Sequence, residues 1–227
     1  VFSSDSVWLQ HAQILDSALP IGAFSHSFGL ESLVHEAHIT GGDGLRLFLQ
    51  SALRGAWSSG DALLVKGAYT LEEPELWRLD GLLDAGRVSR ETREGMRKMG
   101  RQALKLARAI HPHLNFEALE GAIAQGRCPG TWPVVYGLWT HHLNVPLDRA
   151  ATGYLYGCCA AALGNAVRLS LVGQTSAQSL LSHLLPDIEA SWDSVKEGDP
   201  FDFSTALPVL EVAQLRHQWQ DARLFMS

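Results

Sequence analysis

Cysteine is scarce in this chain: three in 227 residues, an odd number, with no Cys-x-x-Cys pair and no Asn-x-Ser/Thr sequon. A disulfide framework and a thiolate zinc ribbon are thereby excluded. With no signal-like N-terminus, the expectation is a reduced, cytoplasmic protein. Branched strand formers are also few. Val, Ile and Thr together number 27 against 61 for Leu and Ala, a balance that favours helix over strand. Positive charge is in deficit, with a formal net charge of −6, which argues against general nucleic-acid or anionic-membrane binding. Long apolar runs are missing too. The uncharged stretch between Arg149 and Arg168 carries Leu155, Leu163 and Val167 as its only bulky aliphatics, too weak a segment for lipid. No phosphate-binding Gly-x-x-x-x-Gly-Lys-Ser/Thr loop and no Gly-x-Ser-x-Gly elbow occurs, so nothing assembles a catalytic group and a non-enzyme is expected.

What is present reads as a succession of helices in one all-α domain spanning 1–227, about ten helices with short punctuated breaks. Helices are predicted over Val7–Ala18, Ala23–His38, Leu45–Ser58 and Asp61–Leu71, with Thr40–Gly44 as a break and Asp61 as an N-cap. Pro74 suits the first turn of a helix over Glu75–Ala85; Ser89 caps a long one that Pro112 stops near Ile110. Further helices are read over Phe116–Ala124, Pro133–His142, Asp148–Leu171 and Ser176–Trp192, the last kinked or divided at Pro186. A terminal helix begins near Thr205.

Four stretches carry more than core packing asks for. Ser17–Glu31, SALPIGAFSHSFGLE, sets turn-formers and hydroxyls ahead of a helical pattern. At about 100° per residue, Leu30, Leu33, Val34 and Ala37 gather on one side, and Phe24, Phe28, Glu31 and His35 on the other. The second face reads either as a partner surface or as a second buried face. Residues 87–108 hold eight basic and two acidic side chains, a solvated face or a docking stripe for an acidic surface. Gly153, Gly157, Ala160, Ala161 and Gly164 form a small-residue stripe that predicts close approach of another helix. In the terminal helix, Val212, Leu215, Trp219, Ala222 and Met226 form an apolar seam, with His217 and Asp221 expected on the opposite, free face. The histidines are less pointed. His35 and His38 lie at i,i+3, but no His-Glu-x-x-His register exists, and Cys158-Cys159 is an adjacent pair inside an apolar helix.

SALPIGAFSHSFGLE resembles the N-terminal signature of the urease accessory protein UreF family, and four later strings agree in order. They are SRETREGMRKMGRQALKLA from Ser89, WPVVYGL from Trp132, YLYGCCAAALGNAVRLSLVGQTSAQSLL from Tyr154, and LPVLEVAQLRHQWQDARLFMS from Leu207. Trp132, where a smaller aromatic is expected, and the Cys158-Cys159 pair depart from the pattern at packing positions. The resemblance implies a helical, non-catalytic scaffold that works with the UreD/UreH accessory protein and the GTPase UreG on apo-urease. Nickel is then handled by the complex rather than held by this chain as a cofactor. It further implies GTPase docking through Glu31, Arg168, His217 and Asp221, and a UreD/UreH-facing or ordering role for Arg216, Arg223 and Phe225. A homodimer is the arrangement it implies. A direct metal carrier using His35, His38 or His217 is the alternative from another class.

Overall fold

The computed structural model describes residues 4–205 and 207–227; the predicted domain's 1–3, and residue 206 just after the predicted start of the terminal helix, lie outside the described residues. Eleven α-helices are assigned: α1 (Ser4–Leu15), α2 (Leu30–His35), α3 (Gly41–Ala52), α4 (Leu63–Thr70), α5 (Glu73–Gly86), α6 (Arg90–Ile110), α7 (Glu117–Ala124), α8 (Trp132–His142), α9 (Leu147–Arg168), α10 (Gln174–Asp193) and α11 (Pro208–His217). A π-helical segment, Leu53–Ala62, joins α3 to α4 without a break, so these make one rod and the described residues hold ten. The described residues contain no strand, as the composition requires.

Local signals explain most boundaries. Ser89 Oγ accepts the backbone N–H of Thr92 at 3.4 Å and opens α6, and Pro74 lies in the first turn of α5. Of the predicted break at residues 40–44, Thr40 alone stays extended, as the N-cap; residues 41–44 are the first turn of α3. Asp61 is no N-cap. It lies buried in the π segment, paired with Arg87 and accepting the Tyr154 hydroxyl at 3.0 Å. Pro186 sits inside α10 without dividing it.

Two apolar clusters fill the interior. One gathers Leu64, Val65, Leu79, Met96, Met99 and Trp139, from α4, α5, α6 and α8. The other gathers Leu30, Leu45, Leu49, Leu181, Ile188 and Leu210, from α2, α3, α10 and α11. Helix α9 is the wall between them: Ala150 and Tyr154 face the first, Ala151, Leu155, Cys159 and Ala162 the second. That is why α9 shows no single apolar stripe. Its small-residue stripe departs from expectation. A Cβ on Gly153 would meet His11 Cε1 at 2.8 Å, whereas Gly157 and Gly164 have nothing within 4 Å. Close approach is confined to Gly153; the rest of the stripe lines a half-open, mainly apolar cavity of about 330 Å³ with Phe24, Trp57 and Met96.

Candidate functional site

The 17–31 stretch folds as a loop with a late helix. Gly22 (φ 86°) leads into a 3-10 turn over Ala23–Ser25, and Phe28 (φ 50°) and Gly29 (φ 93°) both take left-handed backbone. For phenylalanine that conformation is costly, so the site is held by its surroundings. The Ser27 and Phe28 N–H groups donate to the Ser227 carbonyl at 2.7 and 3.0 Å, and Ser227 Oγ lies 2.8 Å from His26 Nδ1. Gln214 Nε2 donates to the Phe28 carbonyl at 3.1 Å. Gly29 is required by approach as well as by φ, since a Cβ there would lie 2.9 Å from Gln214 Cγ and Leu210 Cδ1. Helix α2 can therefore start only at Leu30, and Glu31 falls in its first turn facing α11.

Glu31 is 1% exposed, as the second-buried-face reading has it, and His217 is fully buried, against the expectation of a free outer face. The terminal helix turns its His217 side inward, toward the Glu31 and Glu91 carboxylates, and its apolar seam outward. It ends at His217, and residues 218–227 turn back across α2 and the start of α6. His217 Nε2 lies 2.9 Å from Glu31 Oε2, and its Nδ1 2.9 Å from Glu91 Oε2. Glu31 also accepts the backbone N–H of Leu224 at 2.6 Å and of Phe225 at 3.3 Å, and Glu91 Oε1 accepts from Arg223 Nη1 at 2.9 Å. Two carboxylates and one imidazole thus fasten the last ten residues to the body. Burial first, and the Lys98 charge second, lower the His26 pKa, with Glu91 opposing them.

Arg168 closes the same pole from α9. It is exposed at the helix end, donates to the Phe24 carbonyl, and lies 4.4 Å above the Phe225 ring. Phe225 itself is buried, so its apolar bulk orders the segment from within. Of the seven residues singled out in the sequence, Glu31, Arg168, His217, Arg223 and Phe225 are brought together. Arg216 pairs instead with Glu36 at 3.0 Å, and Asp221 is exposed. The sequence reading missed Glu91, whose signal is slight: an acid in the first turn of an otherwise basic helix. It also missed His26 and Ser227.

The apolar seam lies outward. Val212, Leu215 and Met226 are exposed and Trp219 is 80% exposed, beside exposed Val209 and Leu224. The clasp therefore presents a ridge of large apolar side chains to solvent, which is how partner surfaces are built. Among the described residues no group of three or more His, Cys, Asp or Glu is placed to hold an ion. Burial pushes the Cys159 thiol up to about 12 and the Cys158 thiol well above its ordinary value, away from the thiolate that binds metal. His35 and His38 are exposed, His38 beside Glu36 at 3.3 Å.

The UreF family model matches residues 39–185. The chain is 34% identical over 215 residues to a urease accessory protein UreF from Paenarthrobacter aurescens, covering 95% of this chain and 96% of that one. It is 36% identical over 214 residues to one from Corynebacterium glutamicum, covering 93% and 94%. With one from Streptococcus salivarius it shares 29% over 224 residues, covering 97% and 94%.

Proposed function

Since the chain belongs to the UreF family of urease accessory proteins and so serves urease maturation, we propose that it acts there as a non-catalytic scaffold. In this reading it binds the UreD/UreH accessory protein and the GTPase UreG, and the assembly inserts nickel into apo-urease at the expense of GTP. Nickel is the cargo of the assembly. The protein works in the cytoplasm, and a homodimer pairs two copies of the complex.

The observation that carries the reading is the inverted terminal segment, in which buried polar groups hold an exposed apolar ridge. An apolar ridge held rigid before binding loses less conformational entropy on docking than a free tail would. The UreD/UreH partner docks on Val209, Val212, Leu215, Trp219 and Met226. Arg223 and Phe225 order that surface from behind, through Glu91 and Arg168, and Arg216 does so through Glu36. Glu31 and His217 serve the GTPase indirectly, as positioning residues, because neither is accessible. Exposed Asp221 and Arg168 supply its contacts.

Co-purification tests this. The wild-type chain should bring down the UreD/UreH partner and, with it, the GTPase. Val212→Asp/Trp219→Asp should fold yet lose both, whereas Asp221→Ala should retain the first and lose the second. Retention of the UreD/UreH partner by the Val212→Asp/Trp219→Asp chain would overturn the docking surface.

A further inference from the structure

The basic helix supplies a feature that the terminal site does not use. Of the eight cations between residues 87 and 108, most are engaged locally. Arg87 pairs with Asp61, Arg90 with Glu94, Arg97 with Asp84 and Arg108 with Glu120, while Arg93 donates to the Arg87 and Val88 carbonyls. Lys98, Arg101 and Lys105 are different. All three are exposed, and among the described residues none has a carboxylate within ion-pair distance. Arg101 and Lys105 stand, one turn apart, on the wall of an open groove of about 590 Å³ between α6 and α7. Arg108 continues that wall, Ile123 and Ala124 contribute apolar atoms from α7, and Glu120, already paired with Arg108, is the one acid.

We propose that this groove docks an acidic amphipathic helix of another protein in the maturation assembly, a partner surface separate from the terminal ridge. The inference rests on the scaffold reading above. Cations at i, i+4 and i+7 match carboxylates spaced by helical turns on a facing helix, and the small apolar α7 side lets that helix lie close. The charge favours such an occupant. Residues 87–108 carry +6 while the whole chain carries −6, so the rest of the molecule repels what this stripe attracts. RNA is the poorer fit, because no aromatic lines the groove to stack a base. Location makes the site additional to the first. Arg101 lies ten residues along α6 from Glu91, roughly 15 Å at the helical rise, so both surfaces can be occupied together.

The test is amine footprinting of the complete assembly, reconstituted from this chain, the UreD/UreH partner, the GTPase and apo-urease. Lys105 should acetylate about tenfold more slowly in the assembly than in the free chain. Carbodiimide, which joins only touching amines and carboxyls, should link it to an Asp or Glu on a partner helix. Arg101→Glu/Lys105→Glu should still co-purify with the UreD/UreH partner while losing about tenfold in affinity for the cross-linked component. Acetylation of Lys105 at the free-chain rate in the full assembly would overturn the proposal. So would unchanged urease activation by the double variant, or protection of Lys105 by added poly(U) but by no protein. Should the wild-type chain fail to bind the UreD/UreH partner, the scaffold reading falls, and the same footprint with apo-urease alone still decides the groove.

Discussion

Helix α6 and the α11 segment carry the same kind of pattern, an apolar stripe opposite a polar one, and fold it in opposite senses. In α6 the apolar stripe is inside: Met96, Met99 and Ala103 are buried, while Arg90, Arg101 and Lys105 face water. In the terminal segment the polar residue His217 is inside, and Val212, Leu215 and Trp219 face water. Apolar burial alone does not explain the second arrangement, because it takes in Leu210 and Ala213 but leaves a larger apolar area exposed. What overrides it is the pair of carboxylates on α2 and α6, which make His217 and the returning backbone the better-satisfied face. An apolar stripe therefore identifies a contact surface, but not whether the contact lies within the chain or with another protein.

The sharpest way to break the contrast is to remove the imidazole that inverts α11. Leaving a buried carboxylate without its hydrogen-bond partner costs about 1–3 kcal/mol or more, so His217→Ala should lower Tm strongly or release residues 218–227. Hydrogen exchange at the Leu224 and Phe225 amides distinguishes these outcomes, and wild-type melting with protected amides would show that the clasp contributes nothing. Glu31→Ala should behave alike.

Acid provides the next test, acting on the conventional side of the molecule. His11 Nε2 lies 2.8 Å from the Tyr136 hydroxyl, which donates to the Ala150 carbonyl. Burial, reinforced by the Arg149 charge, lowers the His11 pKa to about 4. The folded form thus resists a proton that the unfolded chain accepts below about 6.5. Stability is unaffected above that pH, falls as pH drops from about 6.5, and has lost about 3 kcal/mol once pH passes the folded value. Unfolding titrations across this window should show the slope, and His11→Gln should flatten it.

A third test compares glycines. On Gly100 a Cβ would sit 2.0 Å from the Gly130 carbonyl oxygen, so Gly100→Ala must push α6 off the 130–131 loop, which Asp80 holds by accepting the Gly130 and Thr131 N–H groups. A loss of about 1–3 kcal/mol is expected. Gly157→Ala, with open space around it, should be neutral or slightly stabilising in the same melts. The smallest effect on stability falls on the inverted face itself. Trp219→Ala should stay within about 0.5 kcal/mol of wild type, while weakening capture of the UreD/UreH partner; a large drop in Tm would make Trp219 a core residue after all.

Much of this fold was legible in the sequence because period, caps and prolines act locally. Ser89, Pro112 and the Met96–Met99–Ala103 stripe define α6 almost to the residue. The site was half legible. The resemblance carried by SALPIGAFSHSFGLE and the terminal string puts Glu31 and His217 in one set, and they do meet in the fold. Its geometry was not legible, because a continuous helix from Ala23 cannot anticipate left-handed Phe28, which is held by contacts from Ser227 and Gln214, about two hundred residues away in the chain. For the same reason a helix drawn through Asp221 and Met226 hides the turn that carries residues 218–227 back. Gly157 and Gly164 were misread because spacing says which residues share a stripe, not whether another backbone comes to meet it.

The placement of α9 has a consequence for how the molecule comes apart. Its Ala150–Tyr154 side belongs to one apolar cluster and its Ala151–Leu155–Cys159 side to the other, so neither cluster can lose this helix and leave its neighbour whole. A single rod shared in this way welds the two halves into one cooperative unit. Damage at either end is then felt across the whole bundle, and a half-folded intermediate keeping just one cluster has no wall to close it.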